Sequence, residues 1–178
     1  MFIGPSGKIF DQLTNSCGIS RNEIYLTNLV KCFLPNCRKP RTDEIETCNS
    51  LYLSQEIELA KPEIIVTLGF HVTKFILNEY KLYVPNRIGF KSLFGNLFVS
   101  QNTKIIPLHH PATVVQKSKS YDSLEKEYQI LKTIQHSCNL IGTCFKFNEY
   151  KQGLLPVGFA EKYCFGNWLS CQYKKRTE

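Results

Sequence analysis

The sequence predicts an α/β fold, a three-layer α/β/α sandwich with a mostly parallel central sheet. Two segments carry this prediction. Residues 63–68 form a continuous β-branched run that ends at Gly69, and residues 104–108 form a second apolar segment. Strands that are covered on both faces read as uninterrupted apolar runs. Helical repeats alternate with these segments, and such alternation implies parallel pairing.

The first third of the chain is predicted to contain a helix, a strand and a loop. Between Pro5 and Gly18 apolar side chains recur at helical spacing, and Gly18 can end this helix. Residues 23–30 are expected to form a short buried strand. Residues 33–41 contain two prolines and an asparagine, which favours a loop.

The next predicted helix carries one polar residue on its apolar face. Thr42 can cap this helix, and acidic residues follow in its first turn. Only Glu56 is out of place in the apolar repeat, and Cys48 is expected to face inward. The positions at helical spacing are Ile45, Cys48, Tyr52, Glu56 and Leu59.

The second half continues with a helix over residues 71–79, an irregular hairpin over 87–99 and the strand 104–108. Asp122 and Glu125 have the spacing of a capping box for a further helix. From about residue 137 no clear periodicity remains. We therefore expect one domain over residues 1–136 and a cysteine-containing extension of unknown role over 137–178.

Composition places the chain among soluble globular proteins. It has 178 residues, 43% of them hydrophobic, and lacks an apolar run of membrane-spanning length. The first residues do not resemble a signal peptide, so we expect an intracellular, monomeric protein with reduced thiols at its eight cysteines. The net charge of +7 is compatible with a polyanionic partner or with a merely basic protein.

Two polar residues follow predicted strands and form a candidate site. Asn28 comes just after residues 24–26, and His110 follows residues 105–108. In α/β proteins, ligands collect at the carboxyl ends of the strands. The two side chains are therefore expected to share one pocket.

Several segments, in order and spacing, resemble the iron-sulfur uracil-DNA glycosylases of the family 4 type. The resemblance runs from Phe2 to about Ile134. The segments that carry it are residues 2–8 (Phe-Ile-Gly-Pro-Ser-Gly-Lys), 25–32 (Tyr-Leu-Thr-Asn-Leu-Val-Lys-Cys), 38–40 (Arg-Lys-Pro), 44–48 (Glu-Ile-Glu-Thr-Cys), 61–69 (Lys-Pro-Glu-Ile-Ile-Val-Thr-Leu-Gly) and 109–112 (His-His-Pro-Ala).

This resemblance implies an enzyme that removes uracil from DNA by base flipping. Phe2 would stack on the flipped base, Asn28 would read its edge, and His110 would be the catalytic residue. An amide both donates and accepts, so it can pair with O4 and N3–H of uracil, whereas cytosine presents the opposite pattern. A donor at O2 stabilises the charge that develops on the departing base. From the residues alone, His109 is an equal candidate for a structural or catalytic role.

The resemblance also implies a 4Fe-4S cluster, with Cys32 and Cys48 as two of its four ligands. Soft thiolates suit iron-sulfur chemistry. Cys37 is either a substitute ligand or incidental, and two unligated cysteines are the alternative. The other expected ligands lie in a CxxC segment ahead of the phenylalanine that matches Phe2, together with a Gly-Glu-Ala-Pro-Gly type loop. If Met1 is the true start, the chain lacks both.

Contacts with DNA are expected from two groups of residues. Lys31, Arg38 and Lys39 can bind phosphates, while Val114 and Lys117 belong to a loop suited to entering the minor groove. Two alternatives to the glycosylase remain open. One is an inactive DNA-binding relic of the family, and the other is a zinc-binding interaction protein that uses Cys32, Cys37 and Cys48.

Overall fold

A computed structural model of the chain describes residues 2–82, 90–100, 103–135, 137, 138, 144–152, 154 and 164. Two compact units are distinguished. One consists of residues 20–62, and the other combines residues 2–19 with the chain from residue 63 onward. Among the described residues, no helix has the length and apolar character needed to cross a membrane.

A mixed sheet lies in the larger unit, which combines residues 2–19 with the chain from residue 63 onward. Its strands are β1 (Ile64–Leu68), β2 (Phe98–Ser100) and β3 (Thr103–Leu108), in the spatial order β1-β3-β2. β1 pairs with β3 in parallel, and β2 pairs with β3 antiparallel. The two apolar segments are thus confirmed as parallel neighbours, but only β3 is covered as predicted, since Val66 of β1 is 37% exposed. The sheet of the described residues is mixed rather than mostly parallel, because β2 returns directly into β3 and such a short connection permits only antiparallel pairing.

Helices account for most of the remaining described residues. In chain order they are α1 (Pro5–Ser16), α2 (Thr42–Cys48), α3 (Ser54–Ala60), α4 (Phe70–Glu79), α5 (Ala112–Val115), α6 (Tyr121–Tyr128), α7 (Ile130–Gln135) and α8 (Phe145–Lys151). A π-helical segment, Asn49–Leu53, joins α2 to α3, and 3₁₀ turns occupy Arg21–Glu23, Pro35–Cys37 and Phe90–Leu93. The helices expected near residues 5–18 and 71–79 are confirmed. The predicted hairpin over 87–99 is wrong for residues 90–99, because Phe90–Leu93 form a 3₁₀ turn and the strand that follows, β2, takes its partner from β3. Residues 87–89 and most of the extension 137–178 lie outside the described residues.

The core of the larger unit joins α1, β3, α6 and α7. Its members are all apolar and at most 5% exposed: Leu13, Cys17, Ile106, Leu108, Leu124, Tyr128, Leu131 and Ile134. Burying each large side chain contributes about 1.5–3 kcal/mol. The helix that supplies Tyr128 begins after Ser120, whose hydroxyl accepts the Ser123 N–H at 3.3 Å. Asp122 is therefore not the cap, because Ser120 already fills that position.

The predicted strand over residues 23–30 is wrong. The Glu23 carboxylate accepts the Ser20 N–H at 2.7 Å, and this contact stabilises a 3₁₀ turn over Arg21–Glu23. Residues 24–30 then continue without helix or strand. An extended segment becomes a strand only when a neighbour pairs with its backbone, which no local pattern guarantees.

The apolar repeat of α2 and α3 changes phase at the π-helical segment. Cys48 is buried as predicted, but Tyr52 is 49% exposed and Leu59 84% exposed, whereas Leu53 is buried. A π turn contains an extra residue, so side chains beyond it rotate away from the face that precedes it. At the start of α2, Glu44 accepts the Arg41 N–H at 2.8 Å, so Arg41 rather than Thr42 precedes the helix.

Candidate active site

The carboxyl end of β3 meets the end of β1 at a close backbone contact. The Gly69 N–H donates to the Leu108 carbonyl at 2.9 Å, and Gly69 has φ +98, a conformation that L side chains rarely adopt. The residues after Leu108 leave the sheet at this point. A Cβ at Gly69 would lie 3.7 Å from the His110 Cβ, so β1 and the histidine segment are close neighbours.

His110 is held in one ring orientation by backbone groups. Its Nδ1 accepts the Ala112 N–H at 3.0 Å. Thr113 binds the His110 carbonyl twice, through its N–H at 2.9 Å and its hydroxyl at 2.8 Å. Burial lowers the pKa of His110, which favours the neutral ring. With Nδ1 serving as an acceptor, the neutral ring carries its proton on Nε2.

The Phe2 ring lies against the His110 ring. Their centroids are 5.3 Å apart with an interplanar angle of 24°. The Phe2 ring also lies against that of Phe10 in α1, with the centroids 4.8 Å apart and an interplanar angle of 18°. The structure therefore brings together Phe2 and His110, two of the residues that the sequence selected for one site.

The backbone of Phe2 depends on the absence of a side chain at Gly7. A Cβ on Gly7 would lie 1.8 Å from the Phe2 carbonyl oxygen, a distance that no pair of unbonded atoms tolerates. Phe2 itself has φ 55, in the left-handed region. The position of Phe2 beside His110 therefore requires a residue without a side chain at position 7.

His109 has a different role from its neighbour. Its N–H donates to Glu127 Oε1 at 2.6 Å, and its Nδ1 lies 2.8 Å from Glu127 Oε2. Lys119 pairs with the same carboxylate at 2.8 Å, and the Tyr128 hydroxyl donates to the His109 carbonyl at 3.0 Å. The N–H, the ring Nδ1 and the carbonyl of His109 are thus all engaged in structural contacts. His110 is therefore the candidate catalytic histidine of the pair.

Asn28 lies in the unit of residues 20–62, and its side chain is exposed. The residues around it are tied to α3. Thr27 and Lys31 each bind Glu56 Oε2 at 2.6 Å, and Lys31 also donates to the Thr27 hydroxyl. The polar residue that interrupts the apolar repeat therefore has partners on the segment that carries Asn28.

Comparison with known proteins identifies the family. The family model of the uracil DNA glycosylase superfamily matches residues 1–132, about three quarters of the chain. The chain belongs to this superfamily. The resemblance seen in the sequence is thereby confirmed, and so is an α/β fold of the type that the superfamily shares.

Several curated relatives carry the name type-4 uracil-DNA glycosylase. The protein of Saccharolobus solfataricus is 34% identical over 134 residues, which cover 74% of this chain and 61% of the relative. That of Archaeoglobus fulgidus is 30% identical over 132 residues, 72% of this chain and 64% of the relative. That of Sulfurisphaera tokodaii is 32% identical over 138 residues, which cover 75% of this chain and 61% of the relative. This superfamily member spans about three fifths of the length of these relatives.

The cations chosen as DNA contacts differ in their availability. Lys31 is paired with Glu56, and Arg38 with Glu44 at 2.5 Å. The hydrogen bond from Arg38, followed by that from the Arg41 N–H, lowers the pKa of Glu44 to about 2. Lys39 and Lys117, in contrast, are exposed.

The loop that follows His110 presents a different valine from the one selected by sequence. Val114 packs against the core of the larger unit, whereas Val115 is 45% exposed. Sequence pattern did not separate the two, since a four-residue helix has too little periodicity to show which side faces the core. Lys117, with φ 55, follows in the turn after α5.

The two cysteines proposed as cluster ligands have different environments. Cys48 is buried and Cys32 is exposed. Among the described residues, no group of three or more histidine, cysteine, aspartate or glutamate side chains is placed to hold a metal ion. The described side chains therefore do not form a complete four-thiolate site, and no chemical step is assigned to a cluster.

Proposed function

We propose that this chain hydrolyses the N-glycosidic bond of uracil in DNA and leaves an abasic site. The observation that carries the proposal is the orientation of His110, in which Nδ1 accepts the Ala112 N–H and Nε2–H is left as a donor beside Phe2. Membership of the uracil DNA glycosylase superfamily supports it, as do three relatives named type-4 uracil-DNA glycosylase.

In the proposed reaction, His110 stabilises charge on the leaving base. Cleavage of the C1′–N1 bond leaves the electron pair on uracil, and part of the negative charge develops on O2. The Nε2–H of His110 donates to O2, and this interaction strengthens as the bond breaks. Water adds to C1′ and loses a proton to solvent, while the uracil anion takes up a proton. The products are free uracil and the abasic sugar.

Base recognition is assigned to Phe2 and Asn28. An aromatic face stacks on any flipped base, so Phe2 supplies affinity rather than selectivity. The Asn28 amide pairs with O4 and N3–H, which selects uracil over cytosine. Its exposed side chain is compatible with this role.

The DNA backbone is proposed to contact Lys39 and Lys117, with smaller contributions from Lys31 and Arg38 because glutamates already neutralise these two. Val115, together with Val114 at its base, is proposed to enter the minor groove where the base has left the stack. The partner is uracil-containing DNA. We expect a monomer that acts inside the cell, wherever its DNA is found.

The finer architecture is also a proposal. A three-layer α/β/α sandwich with a mostly parallel sheet, over residues 1–136, agrees with the parallel pairing of β1 and β3. The extension over residues 137–178 is assigned no role.

Cys32 and Cys48 are proposed as two ligands of a 4Fe-4S cluster, the others coming from outside the set of described side chains. Iron and sulfide content of protein purified without oxygen tests this, with Cys32→Ser and Cys48→Ser alongside. Unchanged iron in both variants would contradict the assignment. Bound zinc in place of iron would support the zinc-binding alternative.

The proposed activity is tested with a labelled oligonucleotide that contains a single uracil, alongside matched strands with cytosine or thymine. We expect release of uracil and alkali-sensitive abasic sites from the first strand alone. A folded protein that binds the oligonucleotide but releases no base would refute the enzyme and favour the inactive DNA-binding relic.

The pH dependence of the reaction reports the protonation state of His110. The neutral ring donates through Nε2, and burial lowers the pKa of His110 below its ordinary value of 6.5. We therefore expect the single-turnover rate to hold steady as pH falls from neutrality to about 6.5, and to decline only below that value as Nδ1 gains a proton and loses the Ala112 N–H. A rate that rises on acidification would show that the cation is the active form.

Replacing Gly7 with alanine should displace Phe2. The new Cβ would overlap the Phe2 carbonyl, so the ring leaves its position beside His110. Because a base–aromatic stack contributes about 1–3 kcal/mol, we expect kcat/KM for uracil excision to fall about tenfold. Gly4→Ala is the matched control, since a Cβ there meets nothing within 4 Å. Equal activity of both variants would show that the placement of Phe2 is unimportant.

A further inference from the structure

We infer that Glu56 is a positioning residue that holds the Asn28 segment in the conformation needed to read uracil. This inference rests on the proposed function and extends it to a side chain outside the matched binding motifs. Glu56 does not touch the base in this assignment. It acts through Thr27 and Lys31, which lie on either side of Asn28.

The contacts form a closed triangle. Glu56 Oε2 accepts the Thr27 hydroxyl at 2.6 Å and the Lys31 ammonium at 2.6 Å. Lys31 also donates to the Thr27 hydroxyl oxygen, so each of the three side chains binds the other two. One carboxylate on α3 thus binds two side chains from a stretch of five residues, 27–31.

The segment needs such a tether because residues 24–30 belong to neither helix nor strand. A segment without backbone pairing keeps more conformational freedom than a strand, and its side chains are correspondingly less fixed. An amide that must present both its donor and its acceptor to a base edge depends on accurate placement. The triangle provides this placement on both sides of Asn28.

Glu56 remains a charged partner in this arrangement. Partial burial raises the pKa of its carboxyl, but hydrogen bonds from Lys31 and Thr27 and the charge of Lys31 outweigh this effect, and the pKa is lowered overall. The side chains of Lys31 and Glu56 are 22% and 24% exposed, so the pair is partly withdrawn from solvent. A carboxylate accepting two short hydrogen bonds is a stronger anchor than a neutral amide.

The same geometry indicates a second role for Lys31. Sequence pattern placed it among the phosphate-binding cations, yet its ammonium points to Glu56 and Thr27. Its principal role in this inference is to close the triangle. Removing it would therefore disturb base recognition more than it weakens binding to undamaged DNA.

The test is a double-mutant cycle between Glu56→Gln and Asn28→Ala. In the otherwise unchanged chain, Glu56→Gln should lower kcat/KM for uracil excision about tenfold to a hundredfold, since a small misplacement of a binding group has effects of this size. In the Asn28→Ala background it should change kcat/KM by less than about twofold. Binding of a matched oligonucleotide with thymine in place of uracil should not weaken in either background, because Glu56→Gln leaves Lys31 free to contact phosphate.

Two further variants separate positioning from folding. Thr27→Val removes one hydroxyl and leaves the Lys31–Glu56 ion pair, and it should reproduce a smaller part of the loss. Glu58→Gln removes an exposed carboxylate from the same helix and should have no effect. Hydrogen exchange of residues 25–31 should be faster in Glu56→Gln than in Glu58→Gln, a readout that does not depend on activity.

The outcomes distinguish this inference from the proposed function. An active chain whose Glu56→Gln variant is equally active, or loses activity by the same factor with and without Asn28, would overturn the positioning role alone. A chain that excises no uracil would overturn the proposed function, and the assignment of Glu56 with it. Loss confined to the Asn28-containing background supports both.

Discussion

Replacing His110 with alanine is expected to slow the single-turnover release of uracil by about 10²–10³-fold, the usual cost of removing one donor to a developing oxyanion. The loss should appear in the chemical step rather than in DNA binding, because the Nε2–H is needed most when charge reaches O2. Single-turnover rates with saturating enzyme measure the chemical step directly, and a filter-binding assay measures affinity.

Two controls sharpen this result. His71→Ala removes an exposed histidine at the start of α4 and should leave the rate unchanged. His110→Gln keeps an N–H donor on a side chain of similar reach and should recover part of the lost rate. If His110→Ala retains the full rate, the central assignment of the site is refuted, whatever the family of the protein.

Replacing Tyr128 with alanine is expected to lower the free energy of unfolding by about 3–5 kcal/mol, the range found when large buried side chains are truncated. Tyr128 is fully buried at the end of α6 and packs in the core with α1 and β3. Truncation removes this packing and also removes the donor to the His109 carbonyl. Urea unfolding followed by far-ultraviolet circular dichroism measures the change.

Tyr128→Phe is the matched control for this prediction. It keeps the ring and removes only the hydroxyl, so the loss should be about 1 kcal/mol, the net value of a single hydrogen bond. A truncation that costs no more than the phenylalanine variant would show that the ring does not pack in the core. Because Tyr128 holds the residue before His110, the phenylalanine variant should also lower the excision rate modestly.

Local pattern was sufficient where the residues of a segment themselves strongly favour one kind of secondary structure. The apolar runs that became β1 and β3 and the repeat that became α1 are examples. The position of His110 just after β3 followed as well, since a strand that ends at the edge of a sheet delivers the next residues to that edge.

Sequence pattern gave wrong predictions where contacts between distant residues decide the conformation. Residues 23–30 have the composition of a strand, yet the Ser20–Glu23 contact and the triangle at Glu56 occupy their polar groups. The π-helical segment rotated Tyr52 and Leu59 to the surface, because one extra residue in a turn shifts every later side chain. A repeat counted along the sequence assumes uniform turns and cannot show such an insertion.

The sequence by itself determined the superfamily, the two parallel strands and the residue types available for the chemistry. Tertiary structure decided what each of those residues contacts. It engaged His109 with Glu127 and Tyr128 and left His110 with a single ring donor. It set Phe2 against His110 through the space left at Gly7. These assignments depend on distances between residues far apart in the chain, and a hydrogen bond or a ring stack exists only once folding has set those distances.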